Sequence, residues 1–178
     1  MKDRSLETIV ETRSQKSTDF ETLMPWRVRN ILLVSSLYDS YTFQEDGRLT
    51  ESLFSEYLQL NLRYAPNVQR VSNATEALEL LRSQKFDLII SMLKIGDLNI
   101  NEFCREVREI DMEIALVLLA NNTRELKSAN LTTSLSGTNR VFVWSGDVRL
   151  FLAIIKSVED RRNAWHDSTS MGDRKSVV

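Results

Sequence analysis

At 178 residues, with 42% hydrophobic and 27% charged content, the chain is long enough for one domain of ordinary size with a real core, plus terminal segments. A net charge of −2 gives no overall pull toward nucleic acid or an anionic membrane. The lone Cys104 and lone His166 exclude an intramolecular disulfide and a Cys/His zinc cluster, and leave Cys–His or Ser–His–Asp catalysis without its parts.

Residues 1–25 are polar with few apolar anchors, and the pattern Leu6, Ile9, Val10 is enough for a turn or two of helix, so this segment is expected to be flexible. It carries no apolar signal core, and no window of the chain approaches the roughly 20 continuous apolar residues of a membrane span, so a cytoplasmic protein without a membrane partner is expected. Asn30–Val34 (NILLV) is a continuous apolar run, as a strand covered on both faces of a parallel sheet requires. A long polar loop, Ser35 to Arg48, leads to Leu49, Leu53, Phe54, Tyr57 and Leu58 at helical spacing, and Val68–Val71 reads as the second strand.

Asn73-Ala-Thr-Glu76 has the N-cap pattern with Glu three residues on. It opens a helix whose inner face is Ala77, Leu78 and Leu81. Asp87–Ser91 is the third strand. Asn99-Ile-Asn-Glu102 repeats the capping pattern before an inner stripe of Phe103, Val107 and Ile110, beside which Cys104 reads as a small buried helix residue. Ile114–Leu119 is the fourth strand, Asn122-Thr-Arg-Glu125 starts a short helix, and Arg140–Trp144 is the fifth strand. Ser145 or Gly146 then opens a last helix with Phe151, Ile154, Ile155 and Val158 facing inward. The compact domain is predicted over residues 26–165, with 166–178 as a disordered polar tail. Strict strand–helix alternation predicts an α/β sandwich around a parallel sheet, each helix being the crossover that a parallel pair needs.

The tracts Ile31–Val34, Val71–Leu81 and Phe86–Ser91, in this order and spacing, resemble the receiver domain of two-component response regulators over about residues 28–163. The resemblance implies a three-layer flavodoxin-like sandwich with a five-stranded parallel sheet in order 2-1-3-4-5, whose chemistry sits at the carboxyl ends of the strands. An active receiver carries there two acids that bind Mg²⁺, a phospho-accepting Asp, a switch hydroxyl and a Lys that neutralises phosphoryl oxygens. Those positions fall here on Ser35 and Ser36, Met92, Leu119 and Trp144. All five depart from the pattern, which implies a degenerate receiver: no enzyme activity, no metal and no cofactor.

Two alternatives remain open from the residues. Asp97 could point back to the rim as a non-standard phosphoacceptor, and Asp39, with Glu45 and Asp46, could stand in as a metal ligand. The hydroxyls of Ser35, Ser36, Ser40 and Thr42 could hold the phosphate of a nucleotide or flavin.

Met92 and Trp144 either close the rim or form a contact surface. Receivers commonly pair or signal through the face made by the fourth helix, fifth strand and fifth helix, which makes Trp144, Arg149 and Lys156 candidate contact residues and a homodimer or an output domain the expected partner. The tracts Tyr38-Asp-Ser40, Glu45–Thr50, Lys94–Asp97 and Trp144–Asp147 further resemble receiver-like modules at the N-terminus of proteins related to phosphoenolpyruvate synthase and pyruvate phosphate dikinase. That resemblance implies a regulatory module cut from, or partnered with, such an enzyme.

Overall fold

The structure, a computed structural model, describes residues 26–36, 49–60, 64–128 and 140–172. These fall into two units, residues 28–158 and residues 26–27 with 159–172. The N-terminal segment 1–25 and Asp39, Ser40, Thr42, Glu45 and Asp46 of the first loop lie outside the described residues.

The elements alternate without exception: β1 (Asn30–Val34), α1 (Leu49–Gln59), β2 (Asn67–Val71), α2 (Ala74–Ser83), β3 (Leu88–Met92), α3 (Ile100–Ile110), β4 (Ala115–Ala120), α4 (Thr123–Ser128), β5 (Arg140–Val143) and α5 (Arg149–Gly172). The strands form one all-parallel sheet in the order β2-β1-β3-β4-β5. This is the flavodoxin-like α/β arrangement expected from the sequence. Among the described residues, no helix is long and apolar enough to cross a membrane.

The apolar runs become the sheet's centre because only strands buried on both faces tolerate them. Every residue of β3 is buried, as are Ile31 to Val34 of β1 and Leu116 to Ala120 of β4. Alternation sends Leu32, Val34, Ile89, Leu116 and Leu118 into a cluster with Ala77, Leu78, Leu81, Phe103, Cys104 and Val107 of α2 and α3. The other parity, Ile31, Leu33, Leu88, Ile90, Met92, Val117 and Leu119, is also buried. Each fully buried side chain of this size contributes about 1.5–3 kcal/mol, so the central strands carry most of the favourable burial. Burial also pushes the Cys104 thiol up to about 11, with nearby Arg108 drawing it back only partly, so Cys104 is core and not a nucleophile.

The capping patterns form as their spacing requires. Asn73 Oδ1 accepts from Glu76 N at 2.8 Å, Asn99 Oδ1 from Asn101 N at 2.9 Å, and Asn122 Oδ1 from Glu125 N at 2.9 Å. At the opposite end of the sheet, Asp87 Oδ2 accepts from Arg29 N at 2.8 Å and Asn30 N at 2.9 Å, fastening the starts of β3 and β1 together.

The structure departs from the sequence reading in three places. In α1 Leu53 and Tyr57 are buried, while Phe54 and Leu58 of the same stripe stand outward at 52% and 58% exposure. α5 starts at Arg149, not at Ser145 or Gly146: Gly146 turns the chain at φ +84°, and Asp147 Oδ1 caps the helix by accepting from Arg149 N at 2.9 Å. α5 also runs on to Gly172, so the expected disordered tail from 166 is helical through that residue.

Candidate functional site

The sheet register determines which side chains meet at the carboxyl ends of the strands. Val34 of β1 pairs with Ser91 of β3, Met92 pairs with Leu119 of β4, and Leu119 pairs with Phe142 of β5. Ser35 therefore stands one residue past its last paired neighbour and level with Met92. Leu93 N donates to Leu119 O at 2.9 Å and Trp144 N to Ala120 O at 2.7 Å, so the backbone pairing continues past the strand ends. Ser35, Met92, Leu119 and Trp144 thus gather at one end of adjacent strands, with Ser36 next to them and half-buried.

This rim is apolar. Ser35, Met92 and Leu119 are 0% exposed and Trp144 is 8% exposed. The Trp144 ring meets Phe151 of α5 edge to face, with centroids 5.2 Å apart and planes at 84°, the arrangement that aromatic quadrupoles favour. Trp144 therefore packs inward and is not presented as a surface residue. Ser35 N donates to Val71 O at 3.1 Å, while its buried hydroxyl has no hydrogen-bond partner among the described residues.

A hard cation such as Mg²⁺ takes six oxygen ligands at near-ideal geometry, several of them waters, with carboxylates among the rest. A thioether, a leucine and an indole supply none, and Ser35 supplies one neutral, enclosed oxygen. Among the described residues, no three His, Cys, Asp or Glu side chains are placed to share a metal ion. The described rim does not fit the cation that an active receiver uses.

The nearby acids are engaged elsewhere. Gly96, at φ +87°, turns the β3–α3 loop so that Asp97 reaches the N-terminus of α2. Asp97 Oδ1 accepts from Ala74 N at 2.8 Å, and Oδ2 accepts from Thr75 N at 3.0 Å and Thr75 Oγ1 at 2.9 Å. Together with Asn73, which serves Glu76 N, Asp97 answers the open donors of the first turn of α2. Desolvation alone would raise the Asp97 carboxyl. The opposing hydrogen bonds from Ala74, Thr75 and its own backbone win, and hold it below the ordinary 3.8.

On the far side, Glu125 of α4 is 7% exposed and its Oε2 accepts from Asn121 N at 2.6 Å, locking the turn after β4. Of the sequence-predicted contact residues, Arg149 is exposed beside Asp147 at 3.4 Å, and Lys156 is half-buried. Sequence reading alone did not find the role of Asp97. Its signal is a glycine–aspartate turn facing a helix whose N-cap residue leaves two first-turn donors unserved.

Solved structures similar to this chain include receiver domains. A CheY-like response regulator receiver domain protein from Methanospirillum hungatei matches at a TM-score of 0.58 and 17% identity, covering 77% of this chain and 98% of its own. This is the receiver fold. The N-terminal domain of a response regulator/sensory box/GGDEF three-domain protein from Carboxydothermus hydrogenoformans matches at 0.57 and 17%, over 76% and 98%. A protein described as adenylate cyclase from Rhodopirellula baltica matches at 0.56 and 17%, over 84% and 99%. No protein-family profile and no curated protein matches the chain. Within the receiver fold the two ends of the sheet differ in kind: one is stapled by Asp87, the other is filled by Met92, Leu119 and Trp144.

Asp97 gives a measurable pH dependence. Because its carboxyl is depressed in the folded state, the stabilisation is fully present above the unfolded value near 4 and is lost as pH falls through the lower folded value. Asp97→Ala is expected to cost about 1 kcal/mol at pH 7, the usual worth of a helix cap, since solvent screens this exposed carboxylate. In urea titrations the gap between wild type and variant closes at acid pH. A gap independent of pH would remove the carboxylate from the explanation.

Proposed function

We propose that this domain is a regulatory protein–protein interaction module of signal transduction, a receiver fold that takes up no phosphoryl group. The observation that carries this reading is the apolar closure of the rim by Met92, Leu119 and Trp144, with Ser35 enclosed beside them. Phosphoryl transfer needs an anionic acceptor, cations to neutralise charge and a hydroxyl free to move. Ser35, Ser36, Met92, Leu119 and Trp144 offer no such set. Asp97, the nearest acid to Met92 in the loop, would have to surrender three hydrogen bonds to α2 to act as acceptor.

Contact is the function left to such a scaffold, and its exposed apolar groups support it. The outward stripe of α1 carries Phe54 and Leu58 where a solvated helix would carry polar residues, and Val143 of the edge strand β5 is 40% exposed. Trp144, next in the chain, is buried against Phe151, and Arg149 is exposed at the start of α5. The partner in this reading is an output domain or enzyme. The tracts Tyr38-Asp-Ser40, Lys94–Asp97 and Trp144–Asp147 favour one related to phosphoenolpyruvate synthase or pyruvate phosphate dikinase.

Intact mass spectrometry after incubation with acetyl phosphate and Mg²⁺ tests the phosphoryl half of this reading. The mass is expected to stay unchanged. A gain of one phosphoryl group that vanishes in Asp97→Ala would instead make Asp97 an acceptor.

One observation favours a second reading, in which a phosphate, nucleotide or flavin binds at the end of β1: the Ser35 hydroxyl is buried without a hydrogen-bond partner among the described residues. A ligand bound only by the native state raises the melting temperature. Under the contact reading ATP, FMN and inorganic phosphate leave it unchanged, and Ser35→Ala is at least as stable as wild type. A rise with FMN or ATP that Ser35→Ala abolishes would replace the contact reading with the ligand one.

A further inference from the structure

The second unit of the chain joins its two ends through one asparagine. Asn163 lies in α5, is 6% exposed, and makes a reciprocal pair with the backbone of Trp26, 137 residues away. Trp26 N donates to Asn163 Oδ1 at 2.9 Å, and Asn163 Nδ2 donates to Trp26 O at 2.9 Å. The second Nδ2 hydrogen goes to Glu159 O, one helical turn back, at 2.9 Å. The side-chain amide thus reads the backbone of residue 26 as a neighbouring strand would. Above it, the Arg162 guanidinium sits 5.0 Å from the centre of the Trp26 ring, within range of a cation–π attraction.

We infer that this clasp is a releasable strap: the segment at Trp26 holds the C-terminal part of α5 in helical form, and drawing that segment away loosens residues 159–172. Two independent observations carry the inference. The stretch EDRRNAWHDSTSMG has no apolar stripe of its own and is rich in poor helix formers, so helicity past Val158 needs outside support. Asn163 is itself a poor interior helix residue, and a buried amide is costly unless its bonds are made. Two of its three bonds exist only while residue 26 is in place. Helix and segment are therefore each a condition of the other, and they form a unit distinct from residues 28–158. A partner that captures the chain at Trp26 would change the length of ordered α5 without unfolding the sheet, which is a local opening equilibrium put to use as a switch.

Hydrogen exchange of the full-length protein, read peptide by peptide, tests this. Asn163→Leu removes both bonds to Trp26, with the bond to Glu159 O, and fills the space with an apolar side chain of similar size. Trp26→Ala keeps the backbone bonds and removes the ring beneath Arg162. Asn163→Leu is expected to speed exchange in 159–172 at least tenfold, and Trp26→Ala by a smaller factor in the same peptides, with β3 and β4 unchanged in both. Unaltered protection of 159–172 in both variants would overturn the strap. Acceleration spread equally over β3 and β4 would overturn its independence from the sheet.

Discussion

The complete burial of β3 is the constraint on which the rest of this structure depends. A central parallel strand has sheet neighbours on both edges and helices over both faces, so each of its side chains must be apolar or fully satisfied. Leu88 to Met92 meet that demand to the last residue. Here Met92 stays in the core, beside Leu119, and the packing continues through Trp144 to Phe151. The end of the sheet is thereby made of the same material as its middle.

Charge has been placed where it fastens elements instead. Asp87 holds the starts of β1 and β3, Asp97 holds the β3–α3 loop to α2, Asp111 Oδ1 accepts from Glu113 N and Ile114 N at the entry to β4, and Asp147 opens α5. Arg108 adds a donor from α3 to Ile114 O at 2.7 Å. Each carboxylate meets backbone N–H groups that the ends of helices and strands leave open. The β3–α3 loop is held in place by the same bonds that complete the first turn of α2.

Much of this was legible in the residues. The apolar runs, three Asn caps and the inner stripes of α2, α3 and α5 have local signatures, whereas the order of the sheet came with the resemblance to receivers, since alternation with one-handed crossovers allows several orders. That Ser35, Met92, Leu119 and Trp144 fall at or just past strand ends was also legible, because the same apolar runs set those ends. What escaped were relations between distant residues. Nothing near Asp97 in sequence announces that α2, more than twenty residues earlier, lacks two acceptors. The pattern of α1 gave Phe54 and Leu58 the same weight as Leu53 and Tyr57, since periodicity does not say which side of an apolar-rich helix faces the sheet. Nor does Asn163, in a polar run, reveal that its amide is reserved for Trp26. The carboxyl-terminal part of α5 looked like a tail for that reason.

The central claim is that position 92 belongs to the core. The most direct measurement is the unfolding free energy, by urea titration at pH 7, of Met92→Leu and Met92→Asp against wild type. An apolar side chain of nearly equal volume should change stability by less than about 1.5 kcal/mol. A carboxylate placed beside Leu119, with no cation in the described rim to pair it, should cost roughly 3 kcal/mol or more. An aspartate variant within about 1 kcal/mol of wild type, on the scale of an ordinary surface substitution, would contradict the account and show a rim still able to house an acid.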